Sequence, residues 1–458
     1  MRKFQSSAQR FPSTPRPRIT GVFALPRGLR IGCLLVSLGL ASGVRPLPVH
    51  AEPQEEAALY ANLTSDFARL APQTIRPADG YIRHPYLIPA GYYAQMWDWD
   101  GFFIGVHWAN QDSAAAKYLR DWVLSFASSA DPDGYVAGCI TSKGPRPLFG
   151  KFAMKPFLAQ GALFATEKLR DFEWLRPVWP AMQRVVTYRE RTQFDAKWNL
   201  WFWDNAMQSG ADNNAALTND PADRSAILAV DASVWATREY EAMAVLADKL
   251  GDGVSARAYR EKAAATRHAI DDELWSAQEG IFLNRRRDSG AWVRVIGWTS
   301  FLPLLDGSLP QAQARQMIRA HLLNAAEMRS DHGFRSLAKN APGYNNDAII
   351  DPFSNWCGPI WINANFLEWI ALRRYGFDDE AHWLAITLAR DLHRDIARWG
   401  SMHEDYSAES GDGLAPTVAQ SPNGKFTGFV GWNLLAEDML QCETGHGHCL
   451  TLEIPTAR

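Results

Sequence analysis

The sequence has few charged residues and no excess of positive charge. Its 458 residues include 47 Lys and Arg against 50 Asp and Glu, a formal net charge of -3. Residues 1–51 contain eight Lys or Arg and no acidic residue, so the remaining 407 residues carry 39 basic and 50 acidic side chains, a balance of about -11. Because phosphate backbones are bound by clustered Lys and Arg, this balance argues against a nucleic-acid-binding protein.

The sequence also lacks the features of several other protein classes. Charged residues make up only 21% of the chain and hydrophobic residues 47%, which excludes an intrinsically disordered protein. There is no glycine-rich loop of the P-loop or dinucleotide-binding type and no Gly-x-Ser-x-Gly sequence, so nucleotide-binding enzymes and α/β-hydrolases are disfavoured. Alternating runs of β-branched residues are scarce, which disfavours a protein built from β-sheets.

The basic segment 1–51 predicts a signal peptide. Arg27 and Arg30 precede an apolar run over 31–44, and the segment ends in small residues of the kind that a signal peptidase reads, with Ala51 last. The run is shorter than the ~20 residues that span a bilayer, so we expect cleavage and no stable membrane insertion afterwards. The sequence therefore predicts a periplasmic or secreted protein.

The few cysteines fit an exported chain. Cys33 leaves with the leader, and of the four that remain, Cys442 and Cys449 would close a short loop by a disulfide. His446 and His448 lie between them, but the spacing matches no structural zinc site, so a disulfide or no bond is favoured over a metal. We expect no cofactor. A structural calcium ion stays open, although the Asp-Pro-Asp-Gly sequence at 131–134 is better explained as a turn.

The chain after the leader predicts a series of amphipathic helices separated by loops. In the window 231–250, Asp231 can cap a helix, Trp235, Met243 and Leu246 share a face, and Gly251 follows as a stop. Further windows are 54–70, 112–129, 152–169, 172–191, 254–275, 310–328, 359–375 and 379–398, with weaker ones at 101–110, 221–229 and 430–441. About twelve helices without a linker favour one all-α domain over 52–441, followed by a short tail, 442–458.

Aromatic and acidic residues concentrate in loops between these helices. All 19 tryptophans follow residue 51, and many lie with carboxylates in the segments 92–100, 198–214, 344–361 and 403–413. Such a mixture suits sugar recognition, because a pyranose face stacks on an aromatic ring while carboxylates accept hydrogen bonds from hydroxyls. The alternative is that Trp fills a helical core, which we favour for Trp235, Trp275 and Trp383 but not for Trp97 and Trp99.

Five blocks of sequence carry a family resemblance. Their motifs are Tyr93-x3-Trp97-Asp98-Trp99-Asp100, Gln208-Ser209-Gly210-Ala211-Asp212-Asn213, Asn355-Trp356-Cys357-Gly358-Pro359-Ile360-Trp361, His403-Glu404-Asp405-Tyr406 and Phe429-Val430-Gly431-Trp432. In this order they resemble the signatures of glycoside hydrolase family 63 and its trehalase relatives. The resemblance implies an (α/α)6 barrel, a six-hairpin toroid with the active site at one end, and hydrolysis of an α-glycoside with inversion.

The resemblance also implies which carboxyl groups carry the chemistry. Asp212 stands where the family has its general acid and Glu404 where it has its general base, a pair expected to lie ~6.5–9.5 Å apart so that water fits between them. Asp212 must stay protonated, and nearby Trp201 and Trp203 could raise its pKa by desolvation. The alternatives within the same stretches of sequence are Asp204 and Asn213 for the acid and Asp405, Glu409 and Asp412 for the base.

The resemblance implies further substrate-binding residues. Asp100 would bind hydroxyls of the cleaved sugar, and the residues expected around it are Tyr93, Trp97, Trp99, Trp361 and Tyr406. Arg224 and Lys339 lie outside the matching motifs and are weaker candidates for binding a carboxylate on the aglycone. Cys357 and Gln208 depart from the family pattern, and Cys357 puts the size of the pocket in question.

The sequence thus predicts an exported inverting α-glycosidase for a small α-glucoside or α-mannoside, either a disaccharide or a glycosylated solute. Trehalase is the nearest alternative. A sugar epimerase on a similar barrel is disfavoured because it would be expected to use catalytic histidines. A barrel that binds glycans without cleaving them is disfavoured because both Asp212 and Glu404 are present.

Overall fold

Helices form most of the structure and are arranged in two concentric rings. The computed structural model describes residues 53–148, 151–217, 225–348, 354–415 and 425–455, all within one compact unit, 43–458. The predicted signal peptide lies outside the described residues. The α-helices are α1 Pro53–Leu70, α2 Asp98–Gln111, α3 Ala116–Ser128, α4 Leu158–Leu169, α5 Trp179–Gln193, α6 Ala206–Ser209, α7 Val230–Leu250, α8 Gly253–Ala269, α9 Gln311–Met317, α10 Ile362–Arg374, α11 Asp378–Trp399 and α12 Leu435–Glu443.

The inner ring consists of six helical segments that are buried on nearly all sides. In ring order they are α2, α4, α7, the 3₁₀ helix Trp298–Asp306, α10, and the 3₁₀ turn Gly431–Leu434 with α12, which contacts α2 and closes the circle. Helices such as α7 and α10 bury both apolar and polar side chains along their whole length. A helix without a polar face needs neighbours all round, and the ring provides them.

The outer ring consists of helices with one apolar stripe. In α11, for example, Leu384, Leu388 and Leu392 are buried at a spacing of four residues and face the inner ring. Helix α3 packs on α2 and α4, α8 packs on α7, and α1 and α11 pack on α12. The segment formed by α9 and the π-helical turn Ile318–Leu322 has a similar one-sided stripe. This alternation of inner and outer helices is the (α/α)6 barrel that the resemblance implied.

Most of the predicted windows are helical, with informative exceptions. Helix α4 begins at Leu158 and not at 152, because 152–157 forms a loop that reaches the site described below. The window 221–229 is wrong over its described part, where Ile227–Leu228 is a strand. Asp231 does not cap α7; the N-cap is Ala229, and Asp231 accepts a hydrogen bond from the Trp203 indole at 2.9 Å. Gly251 ends α7 with φ +84°, as predicted.

Short strands connect the helices at their ends. Each has two or three residues and pairs antiparallel. They are β1 Ile75–Arg76, β2 Tyr86–Leu87, β3 Met96–Trp97, β4 Cys139–Thr141, β5 Gly144–Pro145, β6 Phe194–Asp195, β7 Leu200–Trp201, β8 Ile227–Leu228, β9 Trp275–Ser276, β10 Ile281–Phe282, β11 Asn284–Arg286, β12 Trp292–Val293, β13 Asp405–Tyr406 and β14 Gly413–Ala415. The pairs β3–β4 (Trp97 opposite Cys139) and β13–β14 (Asp405 opposite Ala415) hold two of the five sequence blocks.

The C-terminal tail is fastened to the barrel. Cys442 and Cys449 form a disulfide, as the sequence favoured over a metal site. The His446 ring between them stacks on Tyr60 of α1 with ring centroids 3.9 Å apart. Further on, the carbonyl of Leu452 accepts a hydrogen bond from the buried guanidinium of Arg238 in α7 at 2.5 Å.

The described ranges contain neither a membrane-spanning helix nor a cluster of metal ligands. None of the helices in these ranges is long and apolar enough to cross a membrane. Within the same ranges, no group of three or more His, Cys, Asp or Glu side chains is arranged to hold a metal ion.

Candidate active site

Hydrogen bonds between backbone and side-chain groups join the five sequence blocks at one end of the barrel. Ile360 and Tyr406 exchange two such bonds, at 2.7 and 3.0 Å, which joins the third block to the fourth. The fifth block joins the fourth through Phe429, whose N–H donates to the Met402 carbonyl at 2.7 Å. The second block joins the third because the Asn213 side chain accepts from the Trp356 N–H at 2.5 Å. Residues distant in sequence are thereby fixed against one another.

Glu404 lies in the middle of this arrangement and is 3% exposed. The Tyr92 hydroxyl donates a short hydrogen bond to its Oε2, and the Tyr93 hydroxyl donates to Oε1 at 3.3 Å. Burial raises the pKa of Glu404 well above its usual range, while the Tyr92 hydrogen bond lowers it and the carboxyls of Asp100, Asp405 and Asp212 raise it. Tyr93 was predicted for the site; Tyr92 was not.

A buried network supports the loop that carries Glu404. Asp395, near the end of α11, accepts hydrogen bonds from the His403 N–H at 2.8 Å and from the Tyr406 hydroxyl at 2.9 Å, and its other contact is with His403 Nδ1 at 2.9 Å. The His403 carbonyl in turn accepts from the Asn433 amide at 2.7 Å. The residues on both sides of Glu404 are therefore anchored, which limits how its side chain can move.

Asp212 lies in the second block, just after a tight turn. Gly210 adopts φ +92°, a left-handed conformation that suits glycine, and lets the chain reverse after α6. Asp212 Oδ2 accepts a hydrogen bond from the Ser354 hydroxyl at 2.7 Å. Burial raises the pKa of Asp212 to about 7, against the lowering effects of Ser354 and Lys155. A carboxylic acid with such a pKa keeps its proton in part at neutral pH, as a general acid must.

The first block contributes two aspartates from the first turn of α2. Burial raises the pKa of Asp100 to about 7; Lys155 lowers it, and Asp98 and Asp212 raise it. Asp98 is fully engaged, because its Oδ1 accepts from the Trp99 N–H at 2.7 Å and its Oδ2 from the Lys155 N–H at 2.7 Å. The ammonium group of Lys155 lies 3.2 Å from Asp98 Oδ1. Nothing in the sequence singled out Lys155.

The predicted aromatic residues have different surroundings. Trp99 is 3% exposed, and its ring meets those of Phe103, Phe157 and Trp298 edge to face, with centroids between 5.5 and 6.0 Å apart. Trp97 is half-buried and packs edge to face with Tyr93 at 6.1 Å. Trp99 thus belongs largely to the core beneath the site, while Trp97 and Tyr93 are partly open.

Trp361 and Tyr406 are buried with internal partners. Trp361 stacks on Trp356 with centroids 3.9 Å apart and donates its indole N–H to the Asn355 carbonyl at 2.9 Å. The Tyr406 hydroxyl is bonded to Asp395. Both residues therefore hold the third and fourth blocks in place, and their polar atoms are already used within the protein.

The alternative carboxyls differ clearly from Asp212 and Glu404. Glu409 accepts from the Tyr344 hydroxyl at 2.6 Å and pairs with Lys339 at 2.9 Å, and these partners lower its pKa to about 2. Asp412 is exposed and lies 4.0 Å from an Arg398 nitrogen. Asp405 is fully buried beside Glu404, and burial raises its pKa well above the usual range. Glu409 and Asp412 are thus surface ion-pair residues.

The remaining alternatives are structural neighbours of Asp212. Asp204 accepts from the Ser225 hydroxyl at 3.0 Å and donates its N–H to Gln208 Oε1 at 2.7 Å, so Gln208 braces the loop. The half-buried thiol of Cys357 donates to the Asn213 carbonyl at 3.2 Å, directly beside Asp212.

Lys339 and Arg224 are the two weaker candidates for an aglycone carboxylate. Lys339 is paired with Glu409, as described above. Arg224 lies outside the described residues.

The site as a whole therefore combines three mutually repelling carboxyl groups. Asp100, Asp212 and Glu404 come from three separate blocks. Asp212 raises the pKa of both of the others, and Asp100 raises that of Glu404, because like charges in a low-dielectric site oppose ionisation. Such a group holds at least one proton near neutral pH. One protonated and one ionised carboxyl group is the combination that glycosidic bond hydrolysis needs.

Comparisons with known proteins agree with this chemistry. The family model for the mannosylglycerate hydrolase MGH1-like glycoside hydrolase domain matches residues 93–423. A mannosylglycerate hydrolase of Rubrobacter radiotolerans is 30% identical over 151 residues, which are 32% of this chain and 32% of that protein's own length. A periplasmic trehalase of Citrobacter koseri is 21% identical over 384 residues, 72% of this chain and 63% of the relative.

Solved structures share the fold. A GH63 mannosylglycerate hydrolase from Thermus thermophilus, solved in complex with glucose, superposes with a TM-score of 0.61 at 19% identity. The superposition covers 83% of this chain and 99% of that one. The family match spans well over half of the sequence, so the chain belongs to the family of mannosylglycerate hydrolase MGH1-like glycoside hydrolase domains.

Proposed function

We propose that this protein is an exported, inverting α-glycosidase that hydrolyses a small α-mannoside or α-glucoside, with Asp212 as general acid and Glu404 as general base. The observation that carries the proposal is the contrast between these two buried carboxyls. Asp212 has one hydroxyl donor and a pKa of about 7, whereas both oxygens of Glu404 accept hydrogen bonds from tyrosines.

In the proposed reaction Asp212 gives its proton to the glycosidic oxygen as the bond from that oxygen to the anomeric carbon breaks. Glu404 accepts a proton from a water molecule whose oxygen forms the new bond to the anomeric carbon from the opposite face. The products are the free sugar with inverted configuration and the alcohol. Asp212 is left ionised and Glu404 protonated, and exchange with solvent restores both. We propose that no cofactor takes part.

The substrate proposal rests on the relatives. The Rubrobacter radiotolerans relative is a mannosylglycerate hydrolase, which suggests a mannosyl group on a small organic acid. The Citrobacter koseri relative is a trehalase, which makes trehalose the main alternative. Incubation with mannosylglycerate, glucosylglycerate, trehalose and simple α-mannosides and α-glucosides separates these cases. Release of the β-anomer first, seen by proton NMR within the first turnovers, is expected; early α-anomer would contradict inversion, and no release from any substrate would favour a glycan-binding barrel.

Substitution tests the two catalytic roles. Asp212→Asn and Glu404→Gln should each lower kcat by about 10²–10⁴-fold, since each removes one proton transfer. Asp412→Asn, at an exposed carboxyl in the same loop as Glu404, is the matched control and should keep wild-type kcat. Near-full activity of either catalytic variant would overturn that residue's role.

Export is proposed from the leader and is supported by the disulfide between Cys442 and Cys449, since disulfides form in oxidising compartments. Mass spectrometry of the protein from a host with a periplasm should find a chain that begins at Glu52. A full-length chain recovered from the cytoplasm would contradict export.

A further inference from the structure

Lys155 is a buried cation in the candidate site. It lies in the loop before α4, and one carboxylate holds it at both ends: Asp98 accepts its backbone N–H at 2.7 Å and contacts its Nζ at 3.2 Å. Its side chain is 12% exposed. The ammonium group is therefore fixed by the first turn of α2 and does not extend into solvent.

The stem of Lys155 lies between the two blocks that carry Asp100 and Asp212. Its Nζ is 5.9 Å from the centroid of the Trp99 ring. A Cβ atom added to Gly210 would lie 2.7 Å from Lys155 Cε, so the side chain occupies the space that this glycine leaves open. Because Gly210 is two residues before Asp212, the Lys155 side chain packs against the block that carries the candidate acid.

The charge of Lys155 acts on both carboxyls. It lowers the pKa of Asp100 and of Asp212, opposing the burial that raises each to about 7. Two other charged groups lie close to it: Asp98 on α2, which contacts its ammonium group, and Arg189 on α5, whose guanidinium donates to the Met154 carbonyl next to Lys155. Arg189 itself interacts with Asp98 and Glu239.

We propose that Lys155 is a positioning residue for hydrolysis: its ammonium group, held by Asp98 and packed against Gly210, favours the ionised forms of Asp100 and Asp212 and so limits the number of protons that the carboxyl groups of the site hold. This inference rests on the function proposed above. The reaction needs both a protonated and an ionised carboxyl group, and without a nearby cation charge repulsion would favour further protonation of the three carboxyls. Lys155 is placed to oppose that further protonation.

The test is the pH dependence of kcat and kcat/KM in wild type, Lys155→Met and Lys155→Arg. Removing the positive charge raises the pKa of both Asp100 and Asp212. The acidic limb of the profile depends on carboxyls that must be ionised, and the alkaline limb depends on the acid that must be protonated. Both limbs should therefore move to higher pH. We expect each limb to shift by about one pH unit, because a positive charge close to both carboxyls is lost. Lys155→Arg keeps the charge and should keep both limbs within a few tenths of a unit.

Controls separate this role from a structural one. Lys143→Met removes an exposed lysine from the nearby β4–β5 turn and should leave the profile unchanged. If Lys155→Met does not fold, Lys155→Gln removes the charge with a polar side chain and should give the same shift. A loss of kcat that is equal at all pH values, or the same shift in Lys155→Arg, would overturn the inference. A wild-type protein that cleaves no glycoside would instead overturn the proposed function, and this inference with it.

Discussion

Tyr92 and Tyr93 together restrict the orientation of the Glu404 carboxylate more than a single hydrogen bond would. Each hydroxyl donates to a different carboxylate oxygen, so the orientation of the carboxylate is fixed in its plane. The Tyr92 bond is the shorter, and it opposes the burial that would otherwise keep Glu404 protonated. Under the proposed mechanism, the water to be activated would approach Oε1, where the tyrosine contact is the longer one, at 3.3 Å.

Removing the Tyr92 hydroxyl should make Glu404 a base only at higher pH. The Tyr92 hydrogen bond lowers the pKa of Glu404, so Tyr92→Phe raises it, and the acidic limb of the kcat/KM profile should move upward. At pH 6 we expect about tenfold lower activity, with a smaller loss at pH 8, because one hydrogen bond to a charged group contributes about 1.5–3 kcal/mol. Tyr81→Phe, at a tyrosine that is 39% exposed, is the control. An acidic limb that stays in place would show that Tyr92 does not set this pKa.

At the residue scale the sequence indicates the principal carboxyls but not their partners. Asp100, Asp212 and Glu404 stand in recognisable blocks, and the structure brings them within electrostatic reach of each other. Lys155 lies in no block, and only the fold places it beside Asp98. Tyr92 is adjacent to the predicted Tyr93, and both hydroxyls reach the same carboxylate. The tight turn at Ala90 and Gly91, both with positive φ, precedes the two tyrosines and sets their placement.

At the scale of elements, both outer and inner helices could be predicted, since the windows 231–250 and 359–375 fall on the inner helices α7 and α10. The outer helices α1, α8 and α11 follow their windows closely, because solvent on one side imposes a polar face. The inner segment Trp298–Asp306 was missed: it is buried on all sides and contains Pro303, which interrupts α-helical hydrogen bonding and favours a 3₁₀ conformation here. The strands of two or three residues depend on contacts between segments distant in the chain, so no local sequence pattern predicts them.

The end of α11 and the loop after it behave as one unit around Asp395. Asp395→Asn replaces an acceptor that serves the His403 N–H, the His403 ring and the Tyr406 hydroxyl, and the free energy of unfolding should fall by about 1.5–3 kcal/mol in urea titrations. Since this loop carries Glu404, kcat should fall as well while the pH limbs stay in place. Asp379→Asn, exposed in the first turn of the same helix, should change the free energy of unfolding by less than about 1 kcal/mol. Equal stabilities of the two variants would contradict a supporting role for Asp395.

For the molecule as a whole, ring closure depends on residues near the C-terminus. The segment 431–443 packs against α2 and α10, so the last helix completes the circle that the first inner helix begins. The tail then returns along the barrel, where Leu452 is buried and bonded to Arg238 of α7. The tail therefore contacts helices from both halves of the sequence.

The disulfide at the end of α12 should accordingly stabilise the entire barrel. A bond that closes so short a loop is expected to contribute about 2.5 kcal/mol by restricting the unfolded chain. Replacing both Cys442 and Cys449 by Ser should lower the free energy of unfolding by that amount in urea titrations, with one cooperative transition retained because the tail and the barrel unfold together. Wild type in reducing agent should match the double variant, which should itself be insensitive to reductant. Equal free energies of unfolding for oxidised wild type and the double variant would show that the disulfide does not stabilise the barrel.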